Sequence, residues 1–133
     1  MGPVVLDTHV LLWYLFDPKR LSSTALDAIR QSLAEGHLLH FSAISMVELI
    51  YLIDKGKLPP VFLERISNDI ADKNTVLKVI PLDFLIAMVL QKVAKVRVPE
   101  MADRIIAATA VALEMPLITC DHVILASGIK TIW

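Results

Sequence analysis

Four carboxylates stand where a carboxylate is costly, at the edges of apolar runs. Asp7 follows Val4-Val5-Leu6 and Glu48 lies within Ser45-Met46-Val47-Glu48-Leu49-Ile50. Asp103 opens Asp103-Arg104-Ile105-Ile106, and Asp121 closes Leu117-Ile118-Thr119-Cys120-Asp121. Four such acids brought together repel one another strongly unless a cation holds them. The chemistry this pattern points to is the binding of a divalent metal. An acid-rich, all-oxygen set favours Mg²⁺ or Mn²⁺ over Zn²⁺.

Each acid also has a plainer reading. Acids in the first turn of a helix are favourable by about 0.3–1 kcal/mol through the helix dipole. Ser45-x-x-Glu48 matches a capping box, Asp7 suits the start of a helix at Thr8, and Asp121 suits the start of the segment after it. Asp103, just after Pro99 and Glu100, fits a helix start as well. Among their neighbours, Thr119 is either a hydroxyl that orients a water or an ordinary β-branched strand residue. Arg104 either pairs with a carboxylate or phosphate or is a surface charge. Glu100 shares a helix face with Asp103 if that helix reaches back to it. His9 and His122 lie beside Asp7 and Asp121.

The elements that must position these residues alternate between short β-type runs and helical stretches. Strands are expected at Val4 to Leu6, Leu38 to Phe41, Val76 to Ile80, Leu117 to Thr119 and Lys130 to Ile132. Helices are expected over Thr8 to Phe16, Ser22 to Ala34, Ser45 to Asp54, from Pro59 or Pro60 to about Ala71, over Leu82 to Val93, over Met101 to Glu114, and briefly from about His122. Such alternation predicts a three-layer α/β/α sandwich around a mainly parallel sheet of four to five strands. Sites in such sheets form outside the carboxyl ends of the strands. Asp7 and Asp121 follow strands directly, which is why acids distant in sequence are expected to converge.

With 133 residues the chain is expected to form one domain, residues 1–133, with a core of its own. It is 56% hydrophobic and only 20% charged, with mean hydropathy +0.63. No apolar stretch reaches the length of a membrane span: His9 to Phe16 stops at Asp17-Pro18 and Ile105 to Leu113 at Glu114. The excess apolar surface is expected to cover an interface with a second copy or a partner. No secretory leader or myristoylation pattern opens the chain, and a lone Cys120, read as a small buried hydrophobe, fits a reducing compartment. A cytoplasmic location is therefore expected. The net charge of −1 argues against a tight nonspecific DNA binder.

In order along the chain, these motifs resemble those of the PIN-domain nucleases, and more closely the VapC-type toxins of toxin–antitoxin pairs. Val5-Leu6-Asp7-Thr8-His9-Val10-Leu11-Leu12-Trp13 is similar to the first motif and Ser42-Ala43-Ile44-Ser45-Met46-Val47-Glu48-Leu49 to the second. Ala102-Asp103-Arg104-Ile105-Ile106-Ala107-Ala108-Thr109-Ala110 is similar to the third, and Leu117-Ile118-Thr119-Cys120-Asp121 to the fourth. Two departures stand out: Glu100 replaces an Asp that many relatives carry before the third acid, and His122-Val123-Ile124-Leu125 lacks the further acid some carry after the fourth. The resemblance implies a PIN-like fold and a Mg²⁺- or Mn²⁺-dependent endoribonuclease acting on single-stranded or looped RNA. It implies one or two ions ligated by Asp7, Asp103, Asp121 and Glu48, with Thr119 orienting a water. It also implies a homodimer and a cognate antitoxin that blocks the site with a basic side chain.

Two other readings stand beside it. Asp7 after the first strand also suits a phosphatase of the haloacid-dehalogenase type, but the second Asp such an enzyme needs is replaced by His9. A catalytically silent PIN-like binding module would instead use Leu11 to Phe16 and Val47 to Ile53 as a groove for a partner's amphipathic helix.

Overall fold

The computed structural model describes residues 2–133. Five strands form one parallel sheet: β1 (Val4–Leu6), β2 (Leu39–Ser42), β3 (Leu77–Ile80), β4 (Leu117–Ile118) and β5 (Thr131–Ile132). The spatial order is β3-β2-β1-β4-β5. Seven α-helices connect and cover them: α1 (Thr8–Phe16), α2 (Ser23–Ala34), α3 (Ala43–Asp54), α4 (Val61–Ala71), α5 (Phe84–Val89), α6 (Met101–Leu113) and α7 (His122–Leu125).

The short β-branched runs form strands because parallel strands are buried on both faces and want continuous apolar sequence. Register Val4↔Leu39, Val5↔His40, Leu6↔Phe41 on one side of β1, and Val5↔Leu117, Leu6↔Ile118 on the other, aligns the strands' carboxyl ends. Alternate residues of β1 feed two cores. Val4 and Leu6 pack with Val10, Leu11, Ala25, Ile29 and Phe41 from α1, α2 and β2. Val5 packs with Ile86, Ile106, Ala107, Ala110 and Ile124 from α5, α6 and α7 on the opposite face. This is the expected sandwich. A third cluster, Leu12, Leu49 and Ile66, ties α1 to α3 and α4.

Of the boundaries that differ from the sequence expectation, three have a clear local reason. Helix α3 starts at Ala43 rather than Ser45, because the Ser42 hydroxyl accepts the Ile44 N–H at 3.1 Å and caps the helix two residues earlier. Ser45 and Glu48 therefore lie inside α3 and form no capping box. Helix α5 starts at Phe84, where Asp83 accepts the Ile86 N–H at 2.9 Å, and tightens into a 3₁₀ turn at Leu90–Lys92. Arg104 holds that turn, donating Nε–H to the Val93 carbonyl at 2.7 Å and Nη2–H to the Leu90 carbonyl at 2.8 Å. It is thus a clamp on backbone carbonyls, neither a loose surface charge nor a carboxylate's partner. No helix among the described residues is long and apolar enough to cross a membrane.

Candidate active site

After β1 the chain first runs outward to β2 and β3, then returns to the other side of β1 as β4. The sheet's topological switch point therefore lies between the carboxyl ends of β1 and β4, where a crevice opens in folds of this kind. Asp7 ends β1 there, its N–H still bonded to the Ile118 carbonyl at 3.1 Å. A cavity of about 280 Å³ occupies the position. Its walls include Asp7, Glu48, Asp103 and Asp121, with His9, Glu100 and Cys120 beside them.

All four predicted acids thus meet. Two of them also cap helices, so for them capping and a place in the cavity wall coexist. Asp7 caps α1, its Oδ1 accepting the His9 N–H at 3.1 Å. Asp121 caps α7, its Oδ1 accepting the Val123 and Ile124 N–H groups at 2.9 and 3.1 Å. Capping fixes each carboxylate's direction; Asp121 uses only Oδ1 for it, whereas the Oδ2 of Asp7 is taken by a further hydrogen bond, described next. Asp103 is the third residue of α6, where the helix's exposed N–H groups favour an acid.

Two hydroxyls absent from the metal-ligand expectation hold the acids in place. Thr119 is fully buried; it donates its proton to Asp7 Oδ2 at 2.5 Å and accepts the Asp121 N–H at 3.1 Å. That links the fourth motif to the first. Thr119 does not line the cavity, so its geometry suits positioning a carboxylate rather than orienting a water. Thr8 donates to Glu48 Oε1 at 2.5 Å and lies 2.8 Å from Ser45 Oγ. A hydroxyl has one proton, and a carboxylate only accepts. Thr8 gives its proton to Glu48, so Ser45 must donate to Thr8. The sequence shows only that Ser45 and Glu48, three apart, share one face of α3; their apposition to Thr8 is made by the fold.

The electrostatics follow from this crowding. Burial pushes the Asp7 carboxyl above the usual range; bonds from Thr119 and the His9 N–H pull it back, and Asp121 pushes it up again. Asp103 rises from 3.8 to about 6, through burial first and then through Asp121, Asp7, Glu48 and Glu100. Burial and Asp7 raise the Cys120 thiol, which suits a protonated, inert sulfhydryl; it lines the cavity half-buried rather than sitting in the core. His122 is exposed at the start of α7 and outside the cavity lining.

A divalent cation fits this donor set by charge and by oxygen chemistry. Glu48 and Asp121 each engage one oxygen in hydrogen bonds, which leaves the second for the cavity. Among the described residues, no three ligating side chains already close round one point.

The sequence matches the PIN-domain family model over residues 4–127. Compared with curated proteins, the chain matches none. Among solved structures, it is similar to VapBC from Salmonella typhimurium, solved with DNA bound: TM-score 0.70, 20% identity, covering 98% of this chain and 97% of that one. VapBC2 from Rickettsia felis, bound to a promoter DNA fragment, gives 0.68 at 16% identity, covering 97% and 96%. A toxin–antitoxin complex from Klebsiella pneumoniae gives 0.64 at 18% identity, covering 98% and 96%. A five-stranded parallel sheet ordered 3-2-1-4-5, acids gathered at its switch point, and a family match spanning nearly the whole sequence lead to one assignment: the chain belongs to the PIN-domain family.

Proposed function

We propose that this chain is a divalent-metal-dependent endoribonuclease that hydrolyses RNA phosphodiester bonds, acting as the toxin of a toxin–antitoxin pair. PIN domains are generally nucleases that use divalent metal ions. The observation that carries the reading is the meeting of Asp7, Glu48, Asp103 and Asp121 around one cavity. Asp7 and Asp103 would ligate Mg²⁺ or Mn²⁺ directly, with Asp121 and Glu48 as further ligands or holders of its waters, for one ion or two. Bound there, the metal supplies a water nucleophile near neutral pH and charge to offset that building on the phosphate.

The chain's own residues do the rest. Thr119 and the His9 N–H aim Asp7, the α7 N–H groups aim Asp121, and Thr8 aims Glu48, so the acids are pre-oriented for a reacting phosphate. An open edge cavity suits flexible single-stranded or looped RNA better than a paired helix. The test is to incubate purified protein and an Asp7→Asn variant with RNA plus Mg²⁺ or Mn²⁺. The reading expects cleavage by the first and little or none by the second. Equal cleavage by both would reject it.

A cognate antitoxin is proposed as partner, supported by the toxin–antitoxin complex among the similar structures. The residues expected to form its groove divide in two. Leu11, Leu12 and Leu49 pack into the cores, whereas Val47, Ile50 and Tyr51 of α3 remain exposed. A homodimer is proposed across the apolar face of α5 and α6, where Phe84 is 80% and Met101 71% exposed. Light scattering that finds a monomer at high concentration would refute the dimer.

A further inference from the structure

Three of the four acids are aimed by hydrogen bonds to their own oxygens: Asp7 by Thr119 and the His9 N–H, Glu48 by Thr8, and Asp121 by the first N–H groups of α7. Asp103 is the exception. Among the described residues none donates a hydrogen bond to its carboxylate, and Glu100, the N-cap of the same helix, makes no side-chain capping bond. Yet Glu100, Ala102 and Asp103 together form one wall of the acid cavity. The place of that wall is therefore set by where the first turn of α6 lies.

That turn is fastened by its neighbour. Arg104 is half-buried, and its bonds to the Val93 and Leu90 carbonyls, at 2.7 and 2.8 Å, are charge-assisted and directional. Residues one apart on a helix do not share a face, so Arg104 reaches back to the preceding segment while Asp103 faces the cavity. The same segment buries Val93 and Val98 against Ile106 and Ala107, then runs directly into Glu100. Apolar contacts of that kind are non-directional. The two guanidinium bonds are what fix the direction of the turn. Asp121, Asp7, Glu48 and Glu100 all act on Asp103 as like charges, so a loosened turn would give way outward.

We propose that Arg104 is a positioning residue for the divalent-metal site: its grip on the Leu90 and Val93 carbonyls fixes the first turn of α6 and so holds Asp103 within reach of a cation bound to Asp7. The proposal rests on the metal reading of the cavity. It adds a residue that touches neither metal nor substrate and yet sets the metal affinity.

The test measures binding of Mn²⁺ alone, not cleavage. Electron paramagnetic resonance of unbound Mn²⁺ gives its affinity for the metal-free full chain, wild type and variants. Circular dichroism gives the folded fraction, and each affinity is corrected for it, so a partly unfolded variant still reports on the site. Positioning predicts that Arg104→Met weakens Mn²⁺ binding about tenfold. Arg104→Lys, which keeps the charge but loses the paired bonds, should recover little of it. The sign separates the alternatives. If Arg104 acted through its charge, Arg104→Met would tighten Mn²⁺ binding, because a cation repels a cation, and Arg104→Lys would restore the wild-type value. If it served folding alone, the corrected affinity would stay within about twofold of wild type, as it should in Ile29→Ala, which opens a cavity in the core on the sheet's other face. Either of those outcomes would overturn the proposal. A wild type that binds no Mn²⁺ would instead reject the metal reading, and the proposal with it.

Discussion

Replacing Asp103 by Asn should stabilise the metal-free protein while removing a proposed metal ligand. The carboxyl's ordinary value is 3.8, and burial together with Asp121, Asp7, Glu48 and Glu100 lifts it to about 6 in the fold. At 1.36 kcal/mol per pH unit the ceiling on the associated penalty is about 3 kcal/mol. Asp103 is only half-buried, so solvent screening reduces this to about 1–1.5 kcal/mol. The sign follows from protonation. The folded-state value is raised, so the folded chain holds the Asp103 proton more tightly than the unfolded chain does. Below about pH 4 both states are protonated and no penalty exists. It grows between about pH 4 and 6 and is complete by pH 7. Asn keeps the volume and removes the charge, so Asp103→Asn should gain about 1–1.5 kcal/mol at pH 7 and almost nothing at pH 4. Burial also depresses His40, which titrates in the opposite sense, but it is common to both proteins and cancels in the difference. Urea denaturation of EDTA-treated wild type and variant, followed by circular dichroism at pH 4 and 7, measures it. A destabilised variant at pH 7, or a gain equal at both pH values, would refute the electrostatic picture of the cavity.

Thr8→Val should cost about 1.5–3 kcal/mol of stability by removing a hydrogen bond to a carboxylate and leaving the Ser45 hydroxyl unpaired; Thr8→Ser should restore both stability and Mn²⁺ affinity. Arg104→Met should destabilise by about 2–4 kcal/mol in thermal melts, because two carbonyls of the turn after α5 lose their donors. Arg104→Lys should rescue little of this, since a single ammonium cannot reproduce the guanidinium's two aligned bonds. Glu114→Gly should raise stability by up to about 1 kcal/mol, since Glu114 leaves α6 in the left-handed region at φ 54°, where glycine is unstrained.

The parts of the fold legible in the sequence are those set by patterning. Val4-Val5-Leu6 could only be a strand buried on both faces, and the glycine after Lys55 marked the end of α3. Helix starts were harder, because several residues competed to cap. Ser42 and Ser45 both qualify as caps of α3, and only the turn out of β2 decides for Ser42. The convergence of Asp7 with Asp121 was legible once strand alternation implied a parallel sheet, since both acids follow strands that end at the same edge. The roles of Thr8 and Thr119 were not. Each depends on a partner hydroxyl, N–H or carboxylate delivered by strand order and helix apposition, which no local pattern encodes. Arg104 was opaque for the same reason: its partners are backbone carbonyls of a turn whose existence the sequence pattern, read as one continuous helix to Val93, did not suggest.

The most direct measurement of the central claim is anomalous diffraction from crystals of the chain soaked in Mn²⁺. The account predicts a manganese peak in the switch-point cavity, within about 2.2 Å of carboxylate oxygens of Asp7 and Asp103 and bordered by Asp121 and Glu48. A cavity without such a peak at saturating Mn²⁺ would contradict it.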